Sequence, residues 1–137
     1  MALISSKGAY GLRAMYELSL AQENTPVQIK YIAAKTGLSQ NYLEQLLSVL
    51  RRAGLVESIR GAHGGYHLAK PAEAIIVGEI LEVLEGELQI LNQGGQNDPL
   101  ALFYETCHER LVEIFNLPLS ELQQYHERLL GQLHYTI

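Results

Sequence analysis

Residues 28–68 hold, in order, a short helical pattern, a glycine turn, a longer helical pattern and a glycine-rich hairpin. The short pattern, over 28–36, ends at Gly37, where a left-handed C-cap is favoured. Ser39 can cap the next helix, over 40–53. The leucines of this helix share one face, which predicts their burial: Leu43, Leu46, Leu47 and Leu50. Two helices joined by such a turn are typical of a helix-turn-helix, whose second helix enters the major groove of DNA.

The longer helix has a polar face opposite its leucines, formed by Gln40, Asn41, Tyr42, Gln45, Arg51 and Arg52. An ordinary helical hairpin in an all-α domain has the same pattern, so these helices alone leave both structures open. The residues that follow favour the DNA-binding form. Residues 55–59 resemble a strand, 61–65 a glycine loop and 66–68 a returning strand. A hairpin directly after the second helix predicts the wing of a winged helix-turn-helix.

The predicted wing carries two candidate contact residues. Arg60 lies at its base and can enter a narrow minor groove, where the negative potential of DNA is strongest. A solvated arginine on a hairpin is the alternative. His63 lies in the glycine loop, where it either contacts a phosphate or is merely exposed.

The distribution of charge supports a basic binding face. The net charge of -5 argues against nucleic acid, because affinity for DNA comes largely from Lys and Arg. Residues 1–70, however, carry eight basic and four acidic side chains, whereas residues 71–137 carry two basic and eleven acidic ones. Such asymmetry indicates a basic binding half joined to a half with another task, although two solvated faces of unlike composition remain the simpler explanation.

Four further helices are predicted outside this region, and three of them are marked by capping residues or a terminal glycine. Ser6 is the expected cap of a first helix that runs to about Gln22, with a core-facing stripe formed by Tyr10, Ala14, Leu18 and Ala21. A fourth helix is expected over 77–85, ended by Gly86. Ser120 is the expected cap of a last helix that reaches about Leu130.

The segment between the fourth and last helices predicts a loop and a long helix. Residues 87–98 form the loop around Gly94 and Gly95, and the helix spans about 99–115, with Pro99 in its first turn. A helix of this length is longer than a small winged domain needs. Pairing with the same helix of a second subunit would cover its apolar residues, and packing onto its own domain is the alternative. The expected dimer contacts are Leu102, Phe103, Leu111 and Ile114.

Length and composition narrow the class of protein. With 137 residues and 47% hydrophobic residues, the chain can form one compact domain with an accessory element. It has no apolar run long enough to span a membrane and no recognisable signal peptide, so we expect a cytoplasmic protein. Its five histidines are scattered and no phosphate-binding glycine loop occurs, so we expect no enzyme. A winged helix that binds only protein is the alternative function.

The stretch YLEQLLSVLRRAGLVESIRGAHGGYHLA, over 42–69, closely resembles the signature of the bacterial winged-helix regulators that include IscR, NsrR and CymR. The opening SSKGAYGLRAMYEL and the pair Glu85 and Gly86 also fit, so the resemblance covers about residues 1–86. It implies a mainly α-helical fold with a small β-hairpin wing, in which residues 1–86 bind DNA. Residues 87–137 would then supply a linker loop, a dimerisation helix and a C-terminal helical segment. In this family target promoters are usually repressed.

The resemblance also implies which residues contact DNA. It places Ser39, Gln40, Asn41, Tyr42 and Gln45 at the major groove and Arg60 at the minor groove. Glu44 falls where iron-sulfur members can use an acidic residue to select bases, and a solvated or salt-bridged glutamate is the alternative. The complete set of expected DNA contacts is Lys7, Ser39, Gln40, Asn41, Tyr42, Glu44, Gln45, Arg51, Arg60 and His63.

The chain departs from the family's cluster-binding members in its expected sensor loop. Those members carry three cysteines there, whereas residues 87–98 contain none and Cys107 is the single cysteine of the chain. We therefore expect no iron-sulfur cluster, no other metal and no cofactor. Cluster-free cysteine metabolism repressors are similar to this chain, which implies a partner enzyme such as cysteine synthase. Cys107 is either a redox switch or an inert packed thiol.

Overall fold

The computed structural model describes residues 1–91 and 97–135, the last two of these by their backbone alone. The described residues form six α-helices and one antiparallel pair of strands. The helices are α1 (Ser6–Ser19), α2 (Ile29–Thr36), α3 (Gln40–Arg52), α4 (Val77–Glu85), α5 (Ala101–Phe115) and α6 (Gln123–Tyr135), and the strands are β1 (Val56–Ile59) and β2 (Gly65–Leu68). The predicted fold class, mainly helical with a small hairpin, is confirmed.

The turn between α2 and α3 has the predicted geometry. Gly37 adopts a left-handed conformation with φ 75°, and its amide donates to the carbonyl of Ala33 at 2.8 Å. Ser39 caps α3, because its Oγ accepts a hydrogen bond from the amide of Tyr42 at 3.1 Å. The leucines of α3 are buried as predicted: Leu43, Leu46, Leu47 and Leu50.

The core lies where α1, α3 and α4 meet. Met15 from α1, Leu47 from α3 and Ile80 from α4 are each fully buried in it. Leu119, which follows α5, is also fully buried, and its amide donates to the carbonyl of Ile75 at 2.7 Å. This contact fixes the chain after α5 against the segment that leads into α4.

The hairpin after α3 is bonded on both sides of β2. Val56 pairs with Leu68 and Ile59 with Gly65 across the two strands. On its other side Tyr66 exchanges two backbone hydrogen bonds with Val27, at 2.8 and 2.9 Å. The wing is therefore attached to the residues immediately before α2, which fixes its orientation relative to the two helices of the motif.

Two predictions for α1 are wrong. Its cap is Ser5 rather than Ser6, because the Oγ of Ser5 accepts a hydrogen bond from the amide of Gly8 at 3.3 Å. The helix ends at Ser19 rather than near Gln22. The chain has to turn at this point so that Val27 can pair with β2, and this long-range pairing overrides the helical spacing of the apolar residues.

The predicted starts of the last two helices are also wrong. Pro99 precedes α5, because a turn comes first in which the Asp98 carboxylate accepts from the amide of Leu100 at 2.7 Å. Ser120 lies inside a short 3-10 turn, Leu119–Leu122, and caps no helix. Helix α6 continues past Leu130 to Tyr135. The anchoring of Leu119 in the core produces this tight turn. The predicted loop centre at Gly94 and Gly95 lies outside the described residues.

Each helix in the described part of the chain is too short or too polar to cross a lipid bilayer.

Candidate functional site

Helix α3 has two faces of opposite character. Its leucines fill the core, and its other face is exposed to solvent. Tyr42 is half-buried between the two faces and packs against the core. The predicted contact residues that lie fully exposed on α3 are Gln40, Asn41, Glu44, Gln45 and Arg51. The described residues form no ion pair with Glu44, so its carboxylate is available on this surface.

Ser39 combines two tasks at the start of α3. Its Oγ accepts the hydrogen bond that caps the helix, while the side chain is exposed. A hydroxyl group has one proton and two acceptor positions, so the proton of Ser39 stays available to an acceptor from outside. The N-terminal end of α3 thus presents Ser39, Gln40 and Asn41 together.

An aromatic contact joins α1 to α3. The rings of Tyr10 and Tyr42 meet edge to face, with centroids 6.0 Å apart and an interplanar angle of 86°. Tyr10 was predicted to face the core, yet it is 41% exposed. Tyr10 lies at the edge of the apolar stripe of α1. At such a position the sequence pattern is the same for an exposed aromatic residue and for a core residue. Tyr10 therefore limits the positions that Tyr42 can take.

The wing is joined to α3 by a side-chain hydrogen bond. Arg60 directly follows β1, and both Arg60 and His63 are exposed. Arg51, near the end of α3, donates from Nη1 to the Oγ of Ser58 in β1 at 3.4 Å. This hydrogen bond links the helix to the wing, so the structure brings Arg51 and Arg60 to neighbouring elements.

The first turn of α1 is held by a carboxylate from the end of α4. Glu85 accepts hydrogen bonds from the Oγ and the amide of Ser5, the amide at 3.2 Å to each carboxylate oxygen. A Cβ atom at Gly8 would overlap this carboxyl group, so the close approach requires glycine there. The predicted contact Lys7 lies exposed in the same turn.

The same contacts lower the pKa of Glu85. The Ser5 hydroxyl contributes most, the amides of Ser5 and Gly8 and the charge of Lys7 add to it, and partial desolvation opposes them. A carboxylate whose pKa is lowered by folding stabilises the protein above its ordinary pKa of 4.5, and this contribution is lost as the pH falls through the lower folded value.

We expect Glu85→Gln to reduce the stability of the protein near neutral pH and to have less effect in acid. The difference in unfolding free energy between wild type and variant should narrow as the pH falls below 4.5. Urea denaturation at a series of pH values measures this difference. Glu105→Gln is the control, because the exposed Glu105 makes no ion pair within the described residues. A difference that stays constant with pH would contradict the role assigned to the Glu85 carboxylate.

The predicted dimer residues of α5 differ in exposure. Leu102, Phe103 and Ile114 are 77%, 61% and 64% exposed, so the described residues leave them largely uncovered. Leu111 is half-buried and lines a groove between α4 and α5. The structure therefore leaves three of the four residues largely exposed and partly covers Leu111.

Cys107 lines the same groove as Leu111 and is half-buried. It is the single cysteine of the chain, so it has no intramolecular thiol with which to form a disulfide. Its predicted role as a redox switch stays untested.

Comparison with known proteins identifies the family. The profile of the Rrf2 family, described as "Iron-dependent Transcriptional regulator", matches residues 4–133. The regulator CymR of Bacillus subtilis is 53% identical over 62% of this chain, a match that spans 62% of the relative's own length. The regulator IscR of Klebsiella pneumoniae is 37% identical over 92% of this chain and 82% of the relative.

A solved structure supports the same assignment. The structure of B. subtilis CymR superposes with a TM-score of 0.78 at 40% identity, covering 91% of this chain and 98% of the other. These proteins are transcriptional regulators and not enzymes, which confirms the prediction that the chain has no enzymatic role.

The iron that the family description implies does not fit the donors of this chain. Iron-sulfur clusters are held mainly by cysteine thiolates, and Cys107 is the single cysteine. The described residues contain no group of three or more His, Cys, Asp or Glu side chains that could hold a metal ion. The single cysteine and the described residues therefore do not fit an iron-sulfur cluster held by cysteine thiolates.

Sequence, fold and relatives agree on one assignment. The profile match covers nearly the whole chain, and the winged helix-turn-helix seen here is shared with the solved relative. The chain belongs to the Rrf2 family of transcriptional regulators.

Proposed function

We propose that the protein is a sequence-specific DNA-binding regulator that acts as a homodimeric repressor without an iron-sulfur cluster. The observation that carries this proposal is the two-faced character of α3, with its leucines buried and its polar side chains exposed, followed by a wing whose Arg60 is also exposed. Recognition in the major groove needs hydrogen-bonding side chains on an exposed helix face, and a wing adds contacts in the flanking groove.

The proposal divides the chain into two parts. Residues 1–86 bind the operator, and the excess of basic side chains within residues 1–70 offsets the phosphate charge. Residues 87–137 form the dimer through α5, where Leu102, Phe103 and Ile114 are exposed. A protein that binds the bacterial chromosome works in the cytoplasm, so the proposal includes that location.

The relatives favour cysteine or sulfur metabolism as the regulated pathway. B. subtilis CymR is described as the global cysteine regulator of that organism. Because this chain is 53% identical to CymR over the matched residues, we include genes of cysteine or sulfur metabolism among the proposed targets. Sequencing the DNA recovered with the protein from cells tests this assignment, and bound sites near unrelated genes would exclude it. A partner enzyme such as cysteine synthase stays a prediction of the resemblance.

We expect Arg60→Ala to weaken operator binding by about 1 to 3 kcal/mol, the usual contribution of a good groove contact. Fluorescence anisotropy with a duplex selected from random DNA by the wild-type protein measures the dissociation constant. Arg128→Ala is the matched control, because Arg128 lies in α6, far along the chain from the wing, and stacks on Tyr125. Wild-type affinity for Arg60→Ala would remove the wing from the proposed interface.

We expect Gln45→Ala to relax sequence preference more than it lowers affinity for DNA in general. A glutamine amide can distinguish base edges, so its loss should reduce the ratio of operator to random-duplex affinity. Lys7→Ala is the matched comparison, because a phosphate contact should weaken both duplexes equally and reduce the salt dependence. An unchanged ratio for Gln45→Ala would place Gln45 outside base recognition.

A further inference from the structure

The groove between α4 and α5 has a volume of about 1010 Å³. Its walls also include residues 1–4, which precede α1, and residues 87–91, which follow α4. The apolar side chains that line it include Leu3, Ile4, Leu81, Leu88, Leu111 and Phe115. A concave apolar surface of this size can enclose much of a small organic molecule.

The charged side chains that line this α4–α5 groove all have the same sign. They are Glu82, Glu85 and Glu87, and the described lining residues include no Lys, Arg or His, so the amino group of Met1 is the one positive charge of this lining against three carboxylates. Glu85 is hydrogen-bonded to Ser5, whereas Glu82 and Glu87 are exposed and form no ion pair in the described part of the chain. The groove therefore favours an occupant with an apolar body and a positive charge.

A second copy of the chain matches the groove less well. The most exposed apolar residues of α5, Leu102, Phe103 and Ile114, are not among the residues that line the groove. The C-terminal half of the chain also carries eleven acidic and two basic side chains, so a partner's half would add negative charge to an acidic groove.

We propose that the α4–α5 groove binds an amphipathic organic cation, which acts as the effector of the regulator. The regulatory part of this proposal rests on the DNA-binding function proposed above. Glu85 connects the groove to the DNA-binding helices, because it lines the groove and also holds Ser5 at the start of α1. A cation that attracts the Glu85 carboxylate competes with Ser5 for this carboxylate. Ser5 caps α1, and α1 also carries Tyr10, whose ring contacts Tyr42 of α3.

The test compares two probes of equal size and opposite charge. Isothermal titration calorimetry of the full chain with tetraphenylphosphonium should show one site per chain, and tetraphenylborate should bind at least about fivefold more weakly. The double variant Glu82→Gln and Glu87→Gln should lose about threefold or more of the phosphonium affinity. Glu105→Gln, which lies on α5 outside the groove lining, should bind like wild type.

Two results would overturn the proposal. Equal affinity for both probes would mean non-specific apolar binding, and no binding of either would mean that a second copy or another segment covers the groove. A separate titration of operator DNA, with and without phosphonium, tests regulation, and we expect about fivefold or greater weakening when phosphonium is bound. A protein that binds phosphonium but no DNA would refute the proposed function and leave the binding site standing, whereas unchanged DNA affinity would refute the effector role.

Discussion

Phe103→Asp should convert the proposed dimer into a monomer and weaken binding to a two-half-site operator by about 10² to 10⁴-fold. Phe103 is 61% exposed on α5, and burying a carboxylate in its place at a subunit interface would cost desolvation energy. A monomer loses the gain from binding two linked half-sites, whereas its affinity for one half-site should stay near wild type. Light scattering after size exclusion gives the mass, and anisotropy with duplexes of one and two half-sites gives the affinities.

Gln123→Asp is the matched control for this prediction. It adds the same charge to the same acidic half, at an exposed position at the start of α6 and outside α5. The control should remain a dimer with wild-type affinity. If Phe103→Asp also remained a dimer, the exposed residues of α5 would not form the subunit interface.

Leu47→Ala should lower the free energy of unfolding by about 2 to 5 kcal/mol. Leu47 is 0% exposed in the centre of the leucine stripe of α3, so truncation leaves a cavity between α3 and the rest of the core. The same substitution weakens the packing of α3, the helix proposed to recognise DNA. At urea concentrations near the unfolding midpoint, the affinity for the operator should therefore fall as well. Urea denaturation followed by circular dichroism measures the loss.

Leu20→Ala provides the comparison on the surface. Leu20 is 50% exposed at the end of α1, and a surface truncation of this kind usually changes stability by about 0.5 kcal/mol or less. Equal losses for Leu47→Ala and Leu20→Ala would mean that the α3 leucines do not form the core of the protein.

Local signals in the sequence were sufficient for the helix-turn-helix and for α4. Gly37, Ser39 and Gly86 mark helix ends through backbone conformation and capping, which depend on neighbouring residues only. The bounds of α2, α3 and α4 accordingly agree with prediction to within a residue. The polar face of α3 was also predictable, because the spacing of its leucines determines which residues point to solvent.

Contacts between distant residues explain the errors. The end of α1 depends on the pairing of Val27 with Tyr66, and the turn before α6 depends on Leu119 reaching Ile75. Two contacts in the candidate functional site could not be predicted from the sequence for the same reason. The clamp of Glu85 on Ser5 spans eighty positions of sequence, and the contact of Tyr10 with Tyr42 joins separate helices. Periodicity within one helix contains no information about either contact.

The dependence of duplex binding on salt tests the central claim most directly. If the basic half of the chain binds DNA, the logarithm of the affinity should fall linearly with the logarithm of salt concentration. With about six to ten phosphate contacts, the loss between about 50 and 200 mM salt is about 10³ to 10⁵-fold. Anisotropy with the selected duplex and a scrambled duplex of equal length measures this slope. A protein that binds neither duplex at about 50 mM salt would contradict the account and favour a winged helix that contacts only other proteins.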